Sequence, residues 1–336
     1  MLFVDTEEAL KTSGDKPYAD FYAKVMTGIV SRLPEAEVFV LDPTASAMAV
    51  SVFLSRPSSI VQALQFVRLP APKVWIEYSN IAVRDAFAKA GNENTWIEGS
   101  VFIERTGLLL TQRDELIEME AIAQFKREDN SRVIELLSAK CAFDTSASTA
   151  RNLSHAGPRK IDHEATGQAK RYYDLLSRDE KESAANADLR TRFSSELHPD
   201  YEAVIPQVGM AHMAKMMAGH ANDIYRMFTT QILPGLILIN CRNAVEQEAI
   251  PAPLKLNKAR RAKGRTEIGP YKLIKLKLRD KVQRRYEEYG GTKRQIAGGL
   301  VIGHFKVRKT GVYWWSPFVR QPGVVKDYRT VRMVIR

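Results

Sequence analysis

Cysteine is nearly absent from this 336-residue chain: only Cys141 and Cys241 occur, a hundred positions apart. Two isolated thiols make no disulfide framework, and neither has a CxxC partner or a neighbouring metal ligand. Both read as small buried hydrophobes of a protein in a reducing compartment. Long apolar runs are missing as well. The longest, Ile232 to Ile239, is about half of what a bilayer span needs, and it contains Pro234 and Gly235. Met1 to Asp15 lacks a basic stretch followed by an apolar one, so no secretory signal is visible. These absences predict a soluble, cytoplasmic protein with no membrane partner.

Signatures of nucleotide and metal chemistry are also lacking. The chain has no GxxxxGK[ST], no GxGxxG and no GxSxG, and Gly298-Gly299 precedes a predicted strand rather than opening a helix. No cofactor is expected. His212 and His220 stand eight apart near one helix face, whereas zinc wants an i, i+4 pair with further ligands, so no metal is expected either. His155, His163 and His198 lie in polar segments and suggest no chemistry. Glu77 and Glu98, each two residues after a tryptophan, form a conceivable carboxylate pair; outward-facing sheet glutamates are the simpler reading.

What is present is ordinary globular material: 45% apolar and 26% charged residues, which excludes a disordered chain, a collagen-like chain and a coiled-coil rod. The length suggests two or three domains. The pattern predicts an α+β protein in three parts: residues 1–145 as an α+β domain with a mainly antiparallel sheet, 146–253 as a linker and helical segment, and 254–336 as a small basic β-rich module. Phe21, Val25, Ile29 and Leu33 repeat at spacings of four, one stripe of an amphipathic helix. Val38 to Leu41 reads as a strand ending at Asp42-Pro43, Ser58 to Val67 as a helix, and Lys73 to Tyr78 as a strand. Leu116–Lys126 and Arg132–Phe143 form the arms of a hairpin, with Ile117, Met119, Ala121, Ala123 and Phe125 on one side and Ile122 as the exception. A helix is the alternative for the first arm. Met210 to Ile232 is a Met-rich helix broken by Leu233-Pro234-Gly235, and Leu236 to Glu248 a second helical piece.

Charge is distributed very unevenly. From Leu254 to Arg336 there are 23 Lys or Arg against 5 Asp or Glu, whereas the preceding residues hold 27 against 34. A segment of +18 repels itself unless an anion relieves it. That anion is either a nucleic acid or the acidic body of the same chain.

The candidate phosphate-contacting residues are Lys255, Lys258, Arg260, Arg261, Lys263 and Arg265, then Lys275, Lys277, Arg279, Arg284 and Arg285, and finally Lys306, Arg308 and Lys309. Aromatic residues follow closely, among them Tyr313, Trp314 and Trp315. Flat rings between cations are what single-stranded nucleic acid uses for base stacking. Adjacent tryptophans on a strand point to opposite faces, so one is buried and one available; Trp314 is taken as the stacking residue. The turn Lys309-Thr310-Gly311 joins two strands, with Gly311 able to take positive φ. His304 among these cations is a weak candidate for acid/base work.

Gly303-His304-Phe305-Lys306, Gly311, Trp314-Trp315, Pro317 and Val319-Arg320 together resemble the C-terminal signature of an uncharacterised family encoded by tailed bacteriophages and prophages. Leu69-Pro-Ala-Pro-Lys-Val-Trp-Ile-Glu77 and Leu256-Asn-Lys-Ala-Arg-Arg261 are similar to further motifs of that family. Ile302, Phe318 and Gln321 depart from it, replacing an Arg, a second His and a Gly. The resemblance implies a phage or mobile-element origin and assigns no function. The resulting expectation is a phage-encoded protein that binds DNA or RNA in the host cytoplasm through its basic C-terminal part. The alternatives are a metal-independent RNase-like enzyme using His304, a virion or assembly component, and an inhibitor of a host protein; a host or phage protein would then be the partner.

Overall fold

The computed structural model describes residues 2, 27–81, 102–126, 130–146, 178–241, 243–276, 299–301, 303–315 and 318–320. Eight strands form one sheet: β1 (Glu37–Leu41), β2 (Lys73–Ser79), β3 (Phe102–Arg113), β4 (Leu116–Lys126), β5 (Arg132–Asp144), β6 (Phe193–Leu197), β7 (Val245–Ile250) and β8 (Tyr271–Leu276). Their spatial order is β6-β5-β4-β3-β2-β1-β8-β7. β1 runs parallel to both neighbours, β2 and β8, and every other adjacent pair is antiparallel.

This corrects the expected fold class. The sheet is mixed rather than an antiparallel sheet belonging to residues 1–145, and it takes β6, β7 and β8 from regions read as helical or as a separate module. The expected small basic β-rich C-terminal module is not found, because β8 lies inside the main sheet. The reason is local. Ile274 is buried in the core, while Lys272 and Lys275 meet Glu37 on β1 and Glu248 on β7. A basic strand fits between two neighbours that each supply a carboxylate.

The parallel pairing of β1 with β2 follows from what joins them. Asp42 caps the helix after β1, its Oδ1 accepting from the Ala45 N–H at 2.6 Å, with Pro43 in the first turn. Helices α1 (Pro43–Ser55) and α2 (Pro57–Ala63) then carry the chain back across the sheet, so β2 enters in the direction of β1. The further helices are α3 (Arg178–Thr191), α4 (Met210–Met227), α5 (Leu233–Asn240) and α6 (Leu254–Ala262).

The larger core joins one sheet face, with Phe39, Ile76, Leu108 and Leu137, to Met48, Ile60, Leu189, Ile224 and Leu236 of α1 to α5. On the other face Trp75, Leu109, Ile122 and Leu136 lie under Leu2, Ile29 and Leu33. Both faces are thus covered, which explains why Ile122 breaks the alternation of β4. Arg32 and Glu120 add an ion pair on this second face, and His198 Nε2 bonds to the same carboxylate at 2.7 Å. Burial opposes ionisation of Glu120, but His198 and Arg32 outweigh it and hold its pKa below the usual carboxylate value.

Three local expectations change. Pro234 does not break the helix. The chain passes from α4 through a π-helical turn, Phe228–Ile232, into α5, with Pro234 in that helix's first turn, where a missing N–H is tolerated. Val245–Ile250, whose residues up to Glu248 were expected to be helical, is edge strand β7, and Phe193–Leu197 is edge strand β6. Phe21 to Met26 of the expected amphipathic helix lie outside the described residues, as do the segments around Trp96 to Ser100 and Tyr328 to Ile335. Among the described residues no single helix is long and apolar enough to cross a membrane; α1 with the segment after it passes that test only as a pair bent by 103°. Cys141 and Cys241 are buried, and burial pushes both thiols up to about 12.

A register shift in β4–β5, between the pairs Glu120↔Lys140 and Ile122↔Leu136, frees the backbone of Ser138 from the ladder. Its N–H donates to His220 Nδ1 at 3.0 Å, its hydroxyl meets the same nitrogen at 2.8 Å, and its carbonyl accepts from the His198 N–H. His220 therefore ties α4 to the bulge.

Two predictions follow from this packing. The Trp75 indole lies across Gly107, where an added Cβ would come within 2.0 Å of the ring. Gly107→Ala should lower stability by about 1–3 kcal/mol in urea unfolding. Burial depresses the pKa of His220 below 6.5. The unfolded chain then binds the proton first, so the His220 contribution is complete above about 6.5 and is lost as pH falls through the depressed folded value. Unfolding free energy should fall between pH 7 and 5, and His220→Gln should flatten that slope.

Candidate nucleic-acid interface

Strand β9 (Gly299–Val301) is followed by β10 (His304–Arg308) and β11 (Gly311–Trp315), which form a hairpin around Lys309-Thr310, and Gly311 adopts φ 132°, as its expected role required. The two-residue turn sets the register: His304 faces Trp315, Phe305 faces Trp314, and Lys306 faces Tyr313. Side chains therefore sort strictly by face. Phe305, Val312 and Trp314 enter the main core, where β10 meets α2 and β11 meets α5. His304, Lys306, Arg308, Tyr313 and Trp315 take the opposite face.

The stacking role expected of Trp314 passes to Trp315. Trp314 is 2% exposed and Trp315 is 42% exposed. Trp314 is also held from behind: Asn243 Nδ2 donates to its carbonyl at 3.0 Å, and Asn243 Oδ1 accepts from its N–H at 2.9 Å. On the outer face the Lys306 ammonium sits 4.0 Å from the centroid of the Trp315 ring, a cation–π contact. The His304 ring lies 5.9 Å from that same ring, and Tyr313 Oη bonds to Thr310 at 2.9 Å. Cations and flat rings alternate across one exposed two-stranded surface.

The second basic element is α6, between β7 and β8. It is anchored through Asn257, which donates to the Ile268 carbonyl and accepts from the Ile268 N–H, each at 2.8 Å. Arg260 Nε donates to the Thr266 carbonyl, and Arg261 pairs with Glu267 at 2.7 Å. Lys255, Lys258, Lys263 and Arg265 are exposed, and no carboxylate among the described residues pairs with them. Leu254 is 80% exposed on the same helix. Lys275, by contrast, is engaged by Glu248, whose hydrogen bond and charge raise the lysine's pKa.

The structure thus brings Lys306, Arg308 and the aromatic pair together on one face and the α6 cations on another element. No hydrogen bond or ion pair links the two sets among the described residues. Lys277, Arg279, Arg284 and Arg285 lie outside the described residues, as does Glu98. Among the described residues no cluster of three His, Cys, Asp or Glu is arranged for a metal ion. Tyr313 and Trp315, noted from the sequence only among the aromatic residues near the cations, take the outer face, whereas Asn243 was not singled out. The first two were signalled by the two-residue turn, which fixes the register; Asn243 carried no signal. Comparison with protein-family models, curated proteins and solved structures returns no match.

Asn243→Ala removes both partners of the Trp314 backbone and leaves a buried N–H and carbonyl unsatisfied, at about 1–3 kcal/mol each. The variant should keep its sheet, by circular dichroism, and be cut by trypsin after Lys309 much faster than the parent.

Proposed function

We propose that this protein binds single-stranded nucleic acid, stacking bases on the outer face of the β10–β11 hairpin and contacting phosphates with the cations of the hairpin and of α6. The observation that carries this reading is the sorting of the hairpin, with Trp315 exposed and Tyr313 half-buried beside Lys306, Arg308 and His304 while Trp314 anchors the opposite face. Stacking tolerates any base, because every base has a flat face. The Lys306 ammonium over the indole is positioned to follow the backbone of a strand whose base lies on that ring. Lys255, Lys258, Lys263 and Arg265 supply further cations that the chain itself leaves uncompensated. The resemblance to phage-encoded proteins supports a role in a bacterial host cytoplasm.

Fluorescence anisotropy with a labelled oligonucleotide tests the proposal. Affinity should fall steeply between 50 and 200 mM salt, since each neutralised phosphate releases counterions. Trp315→Ala should cost about 1–3 kcal/mol of binding at fixed salt, and Lys258→Ala with Lys263→Ala should reduce the salt slope. An affinity that is flat in salt, or unchanged in Trp315→Ala, contradicts the proposal.

A further inference from the structure

Strand β7 ends the main sheet: β8 fills one of its sides, and the other has no strand partner among the described residues. Four of its six residues, Glu246, Gln247, Glu248 and Ala249, are exposed. An open strand edge is a template for another strand, and the charge on it decides which strand is admitted. Two glutamates repel a second copy of the same edge, so pairing of β7 with β7 is disfavoured. They admit a cationic strand instead. The inner neighbour already shows this preference: Lys275 of β8 stands directly opposite Glu246 and forms an ion pair with Glu248.

The chain carries a second strand-like segment of that kind. β8 reads Tyr271-Lys272-Leu273-Ile274-Lys275-Leu276, and near the end of the chain stands Tyr328-Arg329-Thr330-Val331-Arg332-Met333. Both follow one pattern: a tyrosine, a cation, any residue, a β-branched residue, a cation and a long apolar residue. Residues 321–336 lie outside the described residues; they hold four Lys or Arg against one Asp. Asn243, two residues before β7, binds both the N–H and the carbonyl of Trp314, so the chain leaves β11 beside the start of β7. After β12 (Phe318–Arg320), Gln321 to Asp327 can span up to about 25 Å. The β7 edge is about 20 Å long.

We infer that the segment Tyr328–Ile335 docks on the outer edge of β7 as a further antiparallel strand of the main sheet. In the register that β8 uses, Arg332 stands opposite Glu246, Val331 opposite Gln247 and Met333 opposite Val245. Residues opposite each other share a face. Arg332 then joins the two glutamates on one face, while Val331 and Met333 fall on the face where Val245 packs against the main core. The inference does not rest on nucleic-acid binding and involves no residue of the hairpin's outer face.

Hydrogen exchange by NMR on the full chain tests it. Alternate amides of β7 point to β8 and the others to the outer edge. With the segment docked, both sets should be protected, and the outward set should exchange about tenfold more slowly than the outward amides of β6, the opposite edge. Glu246→Lys should release the outward set, keep the β8-facing set protected, and speed tryptic cutting after Arg329 about fivefold. Arg332→Glu should do the same, and the two charge reversals together should restore the parent rate at Arg329. Glu196→Lys on β6 is the control and should change neither readout. Outward β7 amides that exchange freely in the parent, or charge reversals that fail to rescue each other, overturn the inference. Protection that grows with protein concentration, alongside a dimer in light scattering, overturns it as well, because the strand then comes from a second copy.

Discussion

The double parallel pairing of β1 is the constraint on which the rest of the molecule depends. Five residues, Glu37–Leu41, hydrogen-bond to β2 on one edge and β8 on the other, and bury Phe39 and Leu41 beneath the helices. The Asp42 N–H extends the ladder to the Ile274 carbonyl at 3.2 Å. A chain segment from beyond residue 270 is thereby built into a sheet begun before residue 40. The same arrangement holds α6 on the connection from β7 to β8.

Electrostatics and topology agree on this arrangement. The segment from Leu254 onward carries +18, and its described charges divide into two groups. Lys272 and Lys275 enter the sheet, where Glu37 and Glu248 neutralise them. Lys255 and Lys258 on α6 and Lys263 and Arg265 just after it stay outside, as do Lys306, Arg308 and Lys309 on the hairpin. The acidic part of the chain thus compensates the basic strand that joins it and leaves the outer cations available to a polyanion. The hairpin keeps its own separation by the same alternation: its apolar face is locked into the helical layer, so its cations and exposed rings face solvent.

The β4–β5 hairpin was legible because its apolar alternation runs over ten residues, and only the second core, under Leu2, Ile29 and Leu33, was needed to explain Ile122. Strand β2 was legible although every side chain from Val74 to Tyr78 is buried, because its aromatic and β-branched residues directly follow the Leu69-Pro-Ala-Pro72 break. Edge strands β6 and β7 were not, since most of their side chains face solvent and leave no period to read. The place of β8 was hidden for a different reason: its alternation identifies a strand, but its parallel partner lies more than two hundred residues away in Glu37–Leu41. The tether from His220 to Ser138 depends on a bulge and had no local signature. In the candidate interface, the cations and the turn were readable. The choice between Trp314 and Trp315 was also implicit, because a two-residue loop at Lys309-Thr310 pairs Trp315 with His304 on the polar face.

Native-state hydrogen exchange read at β1 and at its parallel partner β8 addresses the architecture directly. The hydrogen-bonded amides within Phe39 to Leu41 and within Lys272 to Ile274 should exchange together, at the slow rate set by global unfolding, alongside those of β3 and β4. Exchange of the β8 amides through a separate, low-energy opening, with β1 to β5 still protected, would contradict a single sheet spliced through β1.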